Sequence, residues 1–132
     1  RLVTKSLPRW LLHVTPEPAI AGQTFVISLG ESKLWGRTLL PEKSAPKAVG
    51  PGCLVDGKDY PPDSPGSYSV PGAWRIEVSG QHEFLHVLAP LDAKGAPPDV
   101  SFFRDGERAG VRIGGKKFVF QSRGDAPRRP AE

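Results

Sequence analysis

The sequence predicts an all-β protein: a single antiparallel β-sandwich domain of roughly eight to ten short strands. The clearest sign is the run Pro71–Val78, which places Trp74, Ile76 and Val78 on one side of an extended chain. Gly and Pro contribute 15 residues each, and they separate the apolar runs where turns are needed. Helical periodicity of useful length is absent from the sequence. Together these three features favour strands and turns over helices.

Each predicted strand before residue 90 rests on alternation or on a turn signal. Prolines at positions 16 and 18 end the first run, since proline cannot donate a ladder hydrogen bond. The dipeptide Asp56-Gly57 supplies the positive φ angles of a two-residue hairpin. The predicted strands and hairpin are Arg9–Val14 with Trp10, Leu12 and Val14 inward, Thr24–Leu29 with Phe25, Ile27 and Leu29 inward, Ser32–Leu40, the Cys53–Tyr60 hairpin, the Trp74–Val78 strand and Phe84–Leu88.

The C-terminal part reads as a three-strand meander over Val100–Arg104, Arg108–Ile113 and Lys116–Gln121. Its turns are predicted at Asp105-Gly106 and at Gly114-Gly115. Arg112 then lies opposite Lys117, and Phe103 lies opposite Arg108. Alternation assigns one face to the core and leaves the other more polar. The core face holds Phe102, Ala109, Val111, Ile113, Phe118 and Phe120, and the other face holds Phe103, Arg108, Arg112, Lys117 and Val119.

The basic pair on the meander has two interpretations. Like charges directly opposite each other on neighbouring strands are destabilising. One interpretation of the pair Arg112 and Lys117, beside an aromatic residue, is therefore a patch where an anion binds. The alternative is a solvated sheet face whose charges protect an edge from aggregation.

The domain boundaries follow from composition. Residues 1–8 read as a frayed start, residues 9–121 as the β-sandwich domain and residues 122–132 as a flexible tail with little to bury. Pro61–Gly72 reads as a long surface loop. The chain starts with Arg1 and contains no Met, so we expect a fragment or a processed piece of a longer protein.

Charge and residue types exclude several functions. The net charge of +4 allows attraction to polyanions but is too mild to indicate nucleic-acid binding, and no apolar run is long enough for a membrane helix. Cys53 is the single cysteine, so no internal disulfide forms. His86 is expected near the core, satisfied by hydrogen bonds. His13 is expected to be exposed or between layers, and His82 is expected in a turn. These spacings predict no metal site, no cofactor and no catalytic residue.

The tryptophans offer a second candidate site. Trp35 shares a strand face with Arg37, and an indole ring can stack on the apolar face of a sugar. Trp10 is a weaker candidate of the same kind. The alternative for Trp10, Trp35 and Trp74 is a place in the core.

Four blocks of the sequence resemble a known family. They are Arg9–Val14 with Pro16-Glu17-Pro18, Trp35–Pro41, Val55–Pro61, and Gly72–Val78 with Phe84–Leu88. In this order and spacing they look like the C-terminal β-rich part of heparinase II/III-type polysaccharide lyases. The resemblance spans about residues 9 to 120.

The resemblance implies a role for the chain rather than an activity. These lyases cleave acidic polysaccharides by β-elimination, and most of their catalytic residues lie in an N-terminal α/α toroid and at its junction with the β part. No catalytic residue maps onto this sequence. The chain is therefore expected to be a non-catalytic module, secreted or periplasmic, that supports a missing toroid or binds an anionic polysaccharide.

Two alternatives to that role remain open at this stage. One is an independent carbohydrate-binding module that uses Trp35 or the face with Arg108, Arg112 and Lys117. The other is a structural module that docks on a partner domain.

Overall fold

A computed structural model describes residues 8–55, 58–60, 74–80, 83–106 and 108–120. Within these residues every regular element is a β-strand, and all strand pairs are antiparallel. The strands are β1 (Arg9–Val14), β2 (Ala19–Ala21), β3 (Thr24–Leu29), β4 (Ser32–Leu40), β5 (Lys47–Val49), β6 (Cys53–Val55), β7 (Lys58–Tyr60), β8 (Trp74–Ser79), β9 (Leu85–Asp92), β10 (Val100–Asp105), β11 (Arg108–Ile113) and β12 (Lys116–Phe120). The all-β prediction is confirmed.

The chain divides into two compact units, one ending at Pro97 and the other beginning at Pro98. In the first unit, β1, β8 and β5 form a three-stranded sheet in that order, and β2, β3, β4 and β9 form a four-stranded sheet. Strands β6 and β7 pair as the predicted hairpin. The second unit is a three-stranded meander of β10, β11 and β12.

The first unit is a two-layer sandwich, because side chains from both of its larger sheets share one core. Val14 of β1 and Ile76 of β8 pack with Phe25 and Ile27 of β3. Partly buried apolar residues surround this cluster: Trp10, Leu12, Ile20, Leu34 and Trp74. The inward faces predicted for β1 and β8 are therefore confirmed.

One inward prediction in this unit is wrong. Leu29 is 72% exposed, although it continues the alternation of Phe25 and Ile27. Leu29 pairs with Ser32 at the end of the β3–β4 hairpin, next to the turn at Gly30 with its φ of 58°. Leu29 is exposed because it lies at the hairpin end, whereas the shared core contains Phe25 and Ile27, nearer the start of β3.

The meander of the second unit confirms most of the predicted register. Arg112 lies opposite Lys117, Val111 opposite Phe118 and Ile113 opposite Lys116. The pairing predicted for Phe103 is wrong, because Phe103 lies opposite Gly110 and Asp105 already pairs with Arg108. The first turn therefore begins one residue later than predicted, at Gly106 with its φ of 59°.

The two predicted faces of the meander are present, but one is only partly buried. Val111 is buried and shares its face with Phe118 and Phe120. These two phenylalanines are exposed, and they lie on β12, one of the two edge strands of the sheet.

Two short strands were not predicted, and some predictions lie outside the described residues. Strands β2 and β5 have three residues each, too few to show alternation. The loop over Pro61–Gly72, the turn position of His82 and the tail over 122–132 are not among the residues described. No helix of the described part is long and apolar enough to span a membrane.

Candidate functional site

On the more polar face of the meander, an aromatic ring lies over a glycine. Phe103 of β10 lies opposite Gly110 of β11. A Cβ atom on Gly110 would lie 2.7 Å from Phe103 Cε1 and would also collide with the carbonyl oxygen of Phe118. Only glycine leaves room for the ring here, so the ring occupies the space that a side chain at position 110 would fill.

Two cations converge on this ring. The Arg112 guanidinium carbon lies 5.1 Å from the ring centroid, and Lys117 Nζ lies 4.4 Å from it. Both distances are within the range of a cation–π interaction, which extends to about 6 Å. We call Phe103, Gly110, Arg112 and Lys117 the cation–aromatic platform.

The electrostatics of the platform are unbalanced. Arg112 and Lys117 are directly opposite each other on neighbouring strands, and both are exposed. Within the described part of the chain, neither forms an ion pair with a carboxylate. The negative face of the ring offsets part of their mutual repulsion. A bound anion would offset more of it, so the arrangement favours an acidic ligand.

Arg108 lies on the same face but outside the platform. It is four residues from Arg112 along β11, which is about 14 Å at roughly 3.4 Å per residue. Its cross-strand neighbour is Asp105, so a carboxylate already faces it. Of the residues predicted for this face, the structure brings together Phe103, Arg112 and Lys117.

Trp35 and Arg37 belong to the other compact unit and share a face of β4, as predicted. Trp35 is 8% exposed and lies between its cross-strand neighbours Val26 and Ala89. A stacking platform needs an open ring face, and this ring offers almost none. The burial fits the alternative interpretation of Trp35 as a core residue. Arg37 is half-buried.

The two described histidines, His13 and His86, have different surroundings. His86 Nδ1 lies 3.2 Å from the fully buried Thr38 Oγ1, and its ring stacks on Trp10 with centroids 3.9 Å apart. Burial lowers the pKa of His86, because the charged form is disfavoured away from water. The sequence predicted a hydrogen-bonded histidine near the core. Nδ1 of His86 has a partner in Thr38, whereas its buried Nε2 has no partner among the described residues. His13 is exposed, one of the two places expected for it.

Sequence reasoning missed one ion-pair cluster. On the outer face of the three-stranded sheet, Arg75 Nε donates to Glu77 Oε1 at 2.5 Å, and Arg9 Nη1 donates to Glu77 Oε2 at 3.3 Å. The hydrogen bond from Arg75 is the main reason that the pKa of Glu77 is lowered. The spacing of Arg75 and Glu77, two residues apart on one strand face, was the available signal. Both carboxylate oxygens are occupied, so the cluster is structural.

An open cleft of about 430 Å³ in the first unit is lined by Ser32, Lys33, Pro90, Leu91, Asp92 and Gly95. Lys33 Nζ donates to the Ala93 carbonyl at 2.8 Å. Its ammonium group therefore holds the neighbouring chain in place, and the cleft is a weaker candidate than the platform. Within the described residues, no group of three or more His, Cys, Asp or Glu side chains could hold a metal ion.

Comparison with known proteins leaves the family of the chain open. No family model matches it, and no curated protein is similar to it at a significant level. The relation to heparinase II/III-type lyases therefore stays a prediction from the four sequence blocks.

Proposed function

We propose that this chain is a non-catalytic β-sandwich module that binds an anionic polysaccharide through the cation–aromatic platform. The observation that carries the proposal is the convergence of Arg112 and Lys117 on the ring of Phe103, at 5.1 and 4.4 Å from its centroid. Two exposed cations held beside each other form a site for a carboxylate or a sulfate group.

The ring contributes by holding the cations in place before the ligand arrives. Long basic side chains lose rotamer freedom when they bind, which costs free energy. Cation–π contacts with Phe103 restrict both side chains in the free protein and reduce that cost. Arg112 can then donate a forked pair of hydrogen bonds to one acidic group, while Lys117 acts as a point charge.

A polymeric ligand fits the wider face better than a single ion. Arg108 lies about 14 Å along β11 from Arg112, at the other end of the same strand face. A chain with repeated acidic groups can approach both positions, and its affinity then falls as salt screens the charges.

As the C-terminal module of a heparinase II/III-type lyase, the chain would hold acidic polysaccharide for an α/α toroid catalytic domain outside the cell or in the periplasm. This part of the proposal rests on the four sequence blocks. The platform does not depend on it, since the same chemistry suits an independent carbohydrate-binding module.

Affinity electrophoresis of the whole chain tests the proposal, with heparin, alginate, hyaluronan and a neutral glucan in separate gels. We expect retardation by at least one acidic glycan that weakens with salt. The double variant Arg112→Ala/Lys117→Ala should bind at least about tenfold more weakly, which corresponds to 1.4 kcal/mol.

The matched control is Lys43→Ala/Lys94→Ala, which removes the same charge from two exposed positions of the first unit. This control should bind like the unmodified chain. Equal weakening by both double variants, or no retardation by any acidic glycan, would overturn the proposal.

A further inference from the structure

The last described strand, β12, is an exposed edge. It pairs with β11 on one side, and no other described strand pairs with its second side. All five residues of β12 are exposed, and three of them are large and apolar: Phe118 at 47%, Val119 at 51% and Phe120 at 42%. A β-edge with free peptide groups and aromatic side chains is a template for pairing with another strand.

The turn before β12 determines which peptide groups of this edge are free. Gly114 and Gly115 have φ angles of 52° and 82°, as in a type I′ turn. In such a turn Lys116 N–H donates to Ile113 C=O, so these two residues form a hydrogen-bonded pair. Hydrogen-bonded and non-hydrogen-bonded pairs alternate along antiparallel strands. The peptide groups of Lys117 and Val119 therefore point away from β11.

We propose that β12 pairs with β12 of a second copy of this chain, antiparallel and about a twofold axis at Phe118. In this register Lys117 lies opposite the partner's Val119, and Phe118 lies opposite the partner's Phe118. The outward peptide groups of Lys117 and Val119 supply the hydrogen bonds between the copies, and the sheet grows from three strands to six. This inference goes beyond the proposed function and does not depend on it.

The charges of β12 select this register. Pairing centred on Lys117 would place two ammonium groups opposite each other, which is destabilising. Pairing centred on Phe118 places no cation opposite another cation and overlaps all five residues of the strand. Lys116 then lies opposite the partner's Phe120, where an ammonium group meets an aromatic ring.

The aromatic residues favour the same arrangement. Phe118 lies on the axis as a non-hydrogen-bonded pair, in which Cα atoms are about 4.5 Å apart and side chains are closest. Aromatic pairs directly opposite each other on neighbouring strands stabilise a sheet. Phe118 and Phe120 of both copies then form one apolar stripe beside the buried Val111, which explains why this edge exposes them.

Sedimentation velocity of the whole chain over a range of concentrations tests the proposal. The informative variant is Val119→Pro, which removes an N–H that points to the partner and leaves the hydrogen bonds to β11 in place. Val119→Thr is its control, because it keeps both the N–H and the β-branched shape. We expect the unmodified chain and Val119→Thr to shift from monomer to dimer as concentration rises, and Val119→Pro to stay monomeric.

Disulfide trapping tests the register and the identity of the partner. In a Cys53→Ser background, Phe118→Cys places two thiols across the axis at a separation that suits a disulfide. Lys116→Cys, in the same background, places them far apart and is the control. Rapid covalent dimerisation of the Phe118→Cys protein alone would support the proposal.

Three results would overturn it. The first is a chain that stays monomeric at every concentration, which would leave this edge to a strand of a different protein. The second is dimerisation of Val119→Pro to the same extent as the unmodified chain. The third is cross-linking of the Lys116→Cys protein as fast as that of Phe118→Cys.

Discussion

At two positions in the sheets, an aromatic ring packs over a glycine of the neighbouring strand. Gly36 lies opposite Phe25 in the sandwich, and Gly110 lies opposite Phe103 in the meander. In each pair the phenyl ring crosses the space that a side chain would occupy on the neighbouring strand. Glycine within a strand costs conformational entropy, and the aromatic ring compensates by covering the exposed backbone. The first pair lies in the core of the sandwich, and the second is part of the platform.

The contact between Gly36 and Phe25 leads to a prediction about stability. A Cβ atom there would lie 2.6 Å from Phe25 Cε1, and Phe25 is fully buried and has no room to move. Gly36→Ala should therefore lower the free energy of unfolding by about 2 to 3 kcal/mol, the cost of overpacking a core. Urea denaturation measures the loss. Ser28→Ala, at an exposed position of β3, should change it by less than about 0.5 kcal/mol. A Gly36→Ala protein with an unchanged urea midpoint would show that the ring is not fixed over Gly36.

His86 should make the sandwich sensitive to mild acid. Burial lowers its pKa from the ordinary value of 6.5, so the unfolded chain takes up a proton near pH 6.5 while the folded chain stays neutral. The free energy of unfolding should then fall as pH drops below 6.5, until the lowered pKa of the folded state is passed.

Urea denaturation between pH 8 and pH 4.5 measures this effect, with the variants His86→Phe and His13→Gln. Replacing His86 should remove part of the decrease below pH 6.5. Replacing the exposed His13 should leave the decrease intact. Identical pH profiles for the unmodified chain and His86→Phe would contradict the assignment.

At the scale of strands, β1 and β8 are joined by charge as well as by backbone hydrogen bonds. Glu77 accepts from Arg75 of its own strand and from Arg9 of β1. Its pKa is lowered, chiefly by the hydrogen bond from Arg75, so the ion pairs stabilise the fold above the ordinary pKa of 4.5. That stabilisation is lost as pH falls through the lowered pKa of the folded state.

Glu77→Gln should therefore cost less than about 1 kcal/mol at pH 7, the usual limit for pairs near the surface. The difference from the unmodified chain should shrink below pH 4.5. Thermal unfolding followed by circular dichroism at pH 7 and pH 3 measures both values. A difference that is as large at pH 3 as at pH 7 would show that packing, rather than charge, explains it.

Alternation and turn signals predicted most strands, and each miss has a local cause. Strand β8 and the pairing of Arg112 with Lys117 could be predicted, because apolar alternation and a Gly-Gly turn fix the register. The partner of Phe103 could not, since Asp105-Gly106 is compatible with two turn positions and Asp105 in fact pairs with Arg108. Trp35 shows a different limit of prediction from sequence. Alternation predicts which face a residue shares, but it does not predict whether that face is covered.

For attraction between the whole molecule and a polyanion, the distribution of charge matters more than the net charge. The chain carries 18 basic and 14 acidic residues, a small excess that gives little long-range attraction to a polyanion. The binding that we propose would therefore depend on a local cluster of charge, the platform. Dimerisation through β12 would bring two platforms onto one continuous sheet, which would raise the avidity for a polymer without any new contact to it.

The measurement that tests the central claim most directly is a nitrogen–proton correlation NMR titration of the whole chain with a heparin oligosaccharide. We predict chemical-shift changes concentrated at the amides of Phe103, Gly110, Arg112 and Lys117, which decrease as salt is added. The amides of the sandwich core should not shift. Changes confined to the first unit, or no change at millimolar oligosaccharide, would contradict the account of an anion-binding platform.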